Sequence, residues 1–299
     1  MSQGSTFFTR SFIKLKKPIS FKEQVEKLKE KNIVVENHAE CQEFLRHVNY
    51  YRFSAYYLPF KAPDGKCFEN TTFRKLQMIY EFDQHLSSLI IDIIEDIEVY
   101  LRTQFAYYHS HTYGELGYMS PKTYNHRHDH ISFIEHVNSC INENRNTLLV
   151  RHHMEKYDGK FPLWVIIEFF SIGMLSYFYR SFKTYDKKRI VHTIYKDINY
   201  QHLESWMRCI TDLRNKCAHY SRLYYWIFPA IPKMPENIKY TPTRRLFAQL
   251  YMLKMMCPDV TMWEQKFMKP LRYLIKQYKP YISLQHLDFP YRWNSMLTK

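Results

Sequence analysis

The chain has 299 residues, with 43 Lys and Arg against 29 Asp and Glu for a formal net charge of +14, together with 26 Tyr, 21 Phe and only 6 Gly. That length gives one large domain or two small ones with an ample core, and so few glycines fit a helical protein better than a turn-rich β protein. Six scattered cysteines (41, 67, 140, 209, 217 and 257) without a Cys-x-x-Cys pair exclude a zinc knuckle and a disulfide framework, and the first residues lack an apolar signal core, so a cytoplasmic protein with reduced thiols is expected.

The excess of Lys and Arg favours a polyanionic partner, and abundant Tyr offers planar surfaces on which unpaired bases stack. Residues 1 to about 18 are basic (Arg10, Lys14, Lys16, Lys17) and aperiodic, which reads as a flexible arm or an RNA-contacting tail. Ser20 and Glu23 form a capping box that opens a helix with Val25 and Leu28 on one side, and a second helix is expected over about 38 to 48. Asn49 to Phe60 holds six aromatics, Tyr50 and Tyr51 among them, around one charge, Arg52. Such density reads as buried packing, and Arg52 then requires a carboxylate inside or a phosphate outside. Pro63-Asp64-Gly65 marks a turn.

From Phe73 to Tyr108 apolar residues recur at 79, 82, 86, 89, 90, 93, 94, 97 and 101, the pattern of a long amphipathic helix, with Asp92, Glu95, Asp96 and Glu98 read as a solvated acidic face ahead of Arg102. Residues 111 to 130 read as loop. His126, His128 and His130 invite a metal reading, but no matching acids or cysteines accompany them, so no metal is expected. A helix follows over about 131 to 144, then a basic linker with His152, His153, Lys156 and Lys160. Phe161 to Tyr179 contains one charge, Glu168, in nineteen residues. The length suits a membrane span, but the central carboxylate and the lack of a second span favour a buried helix. A buried Glu168 would need an Arg partner, with Arg102, Arg52 and Arg214 available. Helices are expected over about 185 to 196 and 200 to 220. Beyond Pro229 three prolines break the chain, and Leu246 to Met256 and Met262 to Tyr278 look helical, in a region that fits packing, a dimer arm or an RNA clamp equally.

The 200–220 helix ends in Leu213-Arg214-Asn215-Lys216-Cys217-Ala218-His219-Tyr220-Ser221-Arg222. Asn215 and His219 share a face, whereas Arg214 lies about 140° round and roughly 7.5 Å along from His219, a gap that a long Arg side chain spans. An Arg fork that grips phosphate beside an imidazole that moves protons near neutral pH is a kit for cleaving RNA. The spacing alone is weak: with 17 Arg and 15 His, an Arg followed after four to six residues by a His is expected about two to three times by chance. It occurs three times, from Arg102 to His109, Arg145 to His152 and Arg214 to His219.

Four ordered blocks add to it: residues 49–60 (NYYRFSAYYLPF), 97–104 (IEVYLRTQ), 162–168 with 171–176 (PLWVIIE and SIGMLS), and 214–219 (RNKCAH). Together the chain resembles the AbiD/AbiF-like abortive-infection proteins of bacteria, within the HEPN ribonuclease superfamily. The resemblance implies an all-α fold, a HEPN-like helical bundle with additional N- and C-terminal helices, metal-independent RNase chemistry, a role in phage defence and partnership with a small structured RNA. It also implies a homodimer in which two such helices meet across a two-fold axis and build one positive cleft. One departure stands out: where the family often places a His after the Ala-Tyr that follows Arg102, this chain has Tyr108, with His109 beside it.

The organisation expected is an N-terminal arm and helices with the aromatic block (1–72), a helical core (73–228) and a C-terminal extension (229–299). The leading function is an endoribonuclease without cofactor, with His219 as general acid or base, Arg214 gripping the phosphate and Asn215 orienting the ring or binding a phosphate oxygen. Lys216, Arg222, Arg208, Arg102 and Arg52 are the expected RNA contacts, and Glu168, Tyr50 and Tyr51 their structural support. Two rivals are a non-catalytic RNA-binding protein and a structural all-α protein whose polar motif only ends a helix.

Overall fold

Helix α1 (Phe21–Glu30) opens on the expected capping box: Glu23 N donates to Ser20 Oγ at 3.3 Å and Ser20 N donates to Glu23 Oε2 at 2.6 Å, so two orphan amides are satisfied. The computed structural model describes residues 17–195 and 197–298, and the basic arm of residues 1–16 lies outside them. The chain forms two compact units, 1–77 and 78–299. In the first, α2 (His38–His47) is capped by Asn37 and α3 (Tyr50–Ser54) by Asn49, whose side chain accepts from Tyr51 N at 2.8 Å. Phe44, Phe53 and Phe73 meet edge to face, with centroids 5.0–5.7 Å apart, as the quadrupoles of aromatic rings prefer. The aromatic block divides: Phe53, Tyr56 and Tyr57 are buried, while Tyr51 and Arg52 are exposed and Tyr50 is half-buried.

The second unit is built on α4 (Phe73–Tyr113), whose first turn lies in the first unit. Its 41 residues span about 60 Å at 1.5 Å per residue. Ile79, Phe82, Leu86, Ile90, Ile94, Ile97, Leu101 and Phe105 form one fully buried row, each contributing about 1.5–3 kcal/mol by leaving water. A polar residue on that row must therefore bring its own partner. Next come α5 (His130–Glu143), α6 (Leu148–Lys156), α7 (Leu163–Ile166), α8 (Ile172–Ser181), α9 (Thr184–Ile194) and α10 (Tyr200–Ala218). Helix α10 packs on α8, α9 and α11 (Leu246–Met256). Helix α12 (Val260–Met262) leads through a π-helical turn, Trp263–Met268, into α13 (Lys269–Tyr278), and α14 (Trp293–Leu297) ends the chain. The wide turn precedes Pro270, whose ring has no amide to donate to Lys266 and crowds an ordinary helical turn.

No sheet forms among the described residues, where strand pairing is limited to three isolated bridges; the fold is all-α. No helix among them is long and apolar enough to cross a membrane. Residues 229–298 pack within the second unit: Trp206 Nε1 donates to Lys233 O at 2.6 Å, Tyr195 Oη to Met256 O at 2.8 Å, and Lys266 pairs with Asp96 at 2.7 Å.

Two expectations are corrected. The stretch from Phe161 to Tyr179 is not one buried helix: a 3-10 turn, Ile167–Phe169, follows α7, Phe170 is extended (ψ 126°), and Ser171 starts α8 by accepting from Met174 N at 3.2 Å. The competing cap at Ser171 wins over apolar continuity. His152, His153 and Lys156, read as part of a basic linker, lie on the helix Leu148–Lys156 behind the Thr147 cap, and His153 is buried against Phe161.

Candidate functional site

Helix α10 terminates in a Schellman motif. Tyr220 N donates to Cys217 O and Ser221 N to Lys216 O, both at 2.9 Å, while His219 N closes on Asn215 O at 3.1 Å. The residue in the left-handed position is Tyr220, at φ 50°, where glycine is usual and a bulky side chain is strained. Downstream, Leu223 N and Tyr224 N donate to the two carboxylate oxygens of Asp83 at 2.8 and 2.9 Å, and Asp83 is wholly buried on α4. The helix end is thus tied to α4 immediately after the turn, and the turn leaves Asn215, Ala218, His219 and Tyr220 exposed.

A cleft of about 670 Å³ lies between the end of α10 and the middle of α4, lined by Asp92, Glu95, Glu98, Val99 and Arg102 from α4 and by Arg214, Ala218 and Tyr220. Two of the expected cations, Arg102 and Arg214, therefore meet. Glu98, 8 % exposed, sits beside them, and Arg102 Nη2 donates both to its carboxylate at 2.5 Å and to Phe170 O at 2.7 Å. Burial raises the Glu98 carboxyl, and the charges of Arg102 and then Arg214 pull it back down. Within one chain the cleft is of mixed sign, since Asp92, Glu95 and Glu98 share it with two arginines. The neighbours of His219 on both sides line it, although the imidazole itself does not.

The other Arg-to-His pair has a different environment. His109 is 1 % exposed among Tyr113, Phe178, Phe182 and Tyr124, with centroids 5.0–5.9 Å away. Both ring nitrogens are buried without a hydrogen-bond partner among the described residues, and burial lowers the imidazole to about 4. Tyr108 donates to the buried Asp186 at 2.8 Å alongside Tyr113 at 2.7 Å. Burial and that carboxylate push the Tyr108 phenol up to about 12.

A family model of Abi-like proteins matches residues 43–225. The chain belongs to that family. No curated protein and no solved structure matches it. In this Abi-like protein the matched segment contains Arg102, Glu98, Asp83, the whole α10 terminus and the Leu223–Tyr224 anchor. Membership supports a role in abortive-infection defence.

The remaining expected residues are scattered. Glu168, expected to be buried against an arginine, is exposed on the 3-10 turn; Glu98 and the Phe170 carbonyl hold Arg102 in its stead. The Lys216 ammonium stands 3.2 Å from the Trp226 ring centroid, and burial followed by the nearby Arg222 charge lowers its pKa. Arg208 is exposed on α10 and Arg222 is half-buried. Arg52, Tyr50 and Tyr51 belong to the first unit. Cys217, inside the motif, is core: burial raises its thiol to about 12, so it supplies no thiolate at neutral pH. His128 stacks on Tyr124 at 3.8 Å and contacts His130 Nδ1 at 3.2 Å. The residues missed were Glu98, Asp83 and Tyr220. For the first two a signal existed, because Asp83 and Glu98 fall on the buried row of α4, at 79 plus 4 and 94 plus 4. Tyr220 in a left-handed cap carries no residue-type signal.

Proposed function

We propose that this Abi-like protein is an RNA-cleaving effector of abortive infection whose site is the end of α10 with the facing part of α4. The observation that carries the reading is the pairing of Arg214 with Arg102 in one cleft at a helix end that leaves His219 in solvent. RNA brings its own nucleophile, the 2′-hydroxyl; the site must accept its proton, protonate the leaving 5′-oxygen and neutralise charge building on phosphorus. Arg214 grips the phosphate in this reading, Asn215 positions a phosphate oxygen or the ring, and His219 transfers the proton. Cleavage then leaves a 2′,3′-cyclic phosphate and a 5′-hydroxyl.

The chain supplies one accessible His in this region, since His109 is buried and unprotonated at neutral pH. In-line cleavage profits from a base and an acid on opposite sides of the phosphate, so a second copy of the chain related by a two-fold axis supplies the other imidazole. The mixed sign of the single-chain cleft supports the same reading, because a second Arg214 and the neighbouring basic residues would tip it toward phosphate. Incubating the purified protein with RNA in excess chelator and analysing the ends tests this. Cyclic phosphate ends, with specific activity that falls on dilution below the dimer mass, are expected. RNA left intact under all conditions would remove the catalytic reading and leave RNA binding, whose signature is salt-dependent retention without cleavage.

A further inference from the structure

A second recess, of about 520 Å³, is lined by Thr103, Ala106, Tyr107, Ser110, His111 and Glu115 from the C-terminal part of α4 and its end, and by Trp164 and Glu168 from α7 and the following turn. Its chemistry differs from that of the first cleft. Tyr107 and Trp164, 64 % and 53 % exposed, are large aromatic rings on two different elements that face one recess. His111 lies over Tyr107 with centroids 4.0 Å apart, and its Nδ1 is 2.7 Å from the Tyr107 carbonyl. A carbonyl only accepts, so Nδ1 carries the proton there. Glu168 stands one turn after Trp164, and Ser110 Oγ, shielded from water, has no hydrogen-bond partner among the described residues. Exposed aromatic faces with a carboxylate and a spare hydroxyl match a planar ligand that stacks and presents N–H donors on its edge.

The recess also adjoins the proposed phosphate site. Val99, Thr103, Tyr107 and His111 form one i, i+4 row on α4; Val99 lines the first cleft and the other three line the second. Arg102 binds the carbonyl of Phe170, two residues from Glu168. A strand whose phosphate lies at Arg102 and Arg214 therefore has a neighbouring base within reach of Tyr107 and Trp164.

We propose that this recess is a guanine-reading subsite, in which the base stacks on Trp164 and Tyr107 and the Glu168 carboxylate accepts from its N1–H and N2–H. Guanine alone offers two adjacent donors to a carboxylate. Adenine and cytosine each set an acceptor nitrogen beside their single amino group, and uracil flanks its one N–H with two carbonyls, so each repels a carboxylate at the position where guanine binds it. The assignment rests on the RNA reading for the source of the base, but the subsite binds a mononucleotide by itself.

The test is titration of the whole protein with GMP, IMP, AMP, CMP and UMP by calorimetry, with quenching of Trp164 fluorescence as a second readout. GMP is expected to bind at least about tenfold more tightly than the other four, IMP included because it lacks the 2-amino donor. Glu168→Gln should erase the preference, and Trp164→Ala should weaken all binding. Equal binding of all five nucleotides, or a guanine preference that survives Glu168→Gln, would overturn the proposal. So would recruitment of a Lys- and Arg-rich peptide in place of GMP. Guanine selectivity in a protein that cuts no RNA would leave the subsite standing and remove only the nuclease reading; cleavage with no nucleotide selectivity would do the reverse.

Discussion

The segments from Arg102 to His109 and from Arg214 to His219 carry the same two residue types at similar spacing and end in opposite states. In the first, Arg102 is held by Glu98 and the Phe170 carbonyl, and the imidazole is enclosed by four aromatic rings and kept neutral down to about pH 4. In the second, Arg214 lines an open cleft and His219 is exposed at a helix end. The first imidazole is part of the core of the second unit and the second is free to act on a ligand. An Arg–His spacing becomes chemistry only where the fold leaves the imidazole in contact with water.

The sharpest perturbation removes the tie that holds the exposed segment to α4. Asp83→Ala abandons two buried amides that now donate to a carboxylate, and a loss near 4 kcal/mol is expected in denaturant unfolding, at about 1.5–3 kcal/mol for each bond to a charged group. A loss under about 1 kcal/mol would mean that the segment holds itself. Arg102→Ala leaves Glu98 buried without its closest cation and should cost about 3 kcal/mol, whereas Arg214→Ala should cost under about 1. Equal costs for the two arginines would erase the contrast drawn above.

Acid provides a third comparison. His109 titrates near 6.5 when unfolded and at about 4 when folded. Above pH 6.5 the ring is neutral in both states and has no effect; as pH falls from 6.5 to 4 the unfolded chain alone binds the proton, so stability is lost across that window, by up to about 3 kcal/mol at pH 4. His109→Phe should flatten the pH dependence of unfolding relative to the parent. An unaltered slope in His109→Phe contradicts the buried, neutral ring. The smallest effect is at the cap. Tyr220→Gly and Tyr220→Ala both remove the ring, but glycine alone is at ease at φ 50°, so the glycine variant should be the more stable by about 1 kcal/mol. Equal melting points would show that the left-handed turn relaxes.

Much of the fold was legible because helices announce themselves twice, by period and by cap. The Ser20 box and the long row of α4 follow from spacing and caps alone. The motif of α10 was legible for the same reason: Leu203, Trp206, Met207, Ile210 and Leu213 are all buried, and the polar residues follow at the tip. Glu168 was misread because eighteen uncharged neighbours look like one helix, while a single serine cap at 171 divides them and turns the carboxylate outward. Glu98 was hidden in an acidic run that looks solvated; only its register with Ile94 and Leu101 places it inside. The contact of Lys216 with Trp226 depends on a turn between them, and no period reports it.

The central claim is that Arg214 and His219 at the α10 terminus act on RNA while His109 is framework. It is tested most directly by measuring single-turnover RNA cleavage and RNA binding for the parent, His219→Ala, Arg214→Ala and His109→Phe at pH 7. The account predicts a fall of at least about 10²-fold in cleavage for His219→Ala and Arg214→Ala, with binding retained in His219→Ala and parental cleavage in His109→Phe. Parental cleavage by His219→Ala, or its loss in His109→Phe while the fold persists, would contradict it.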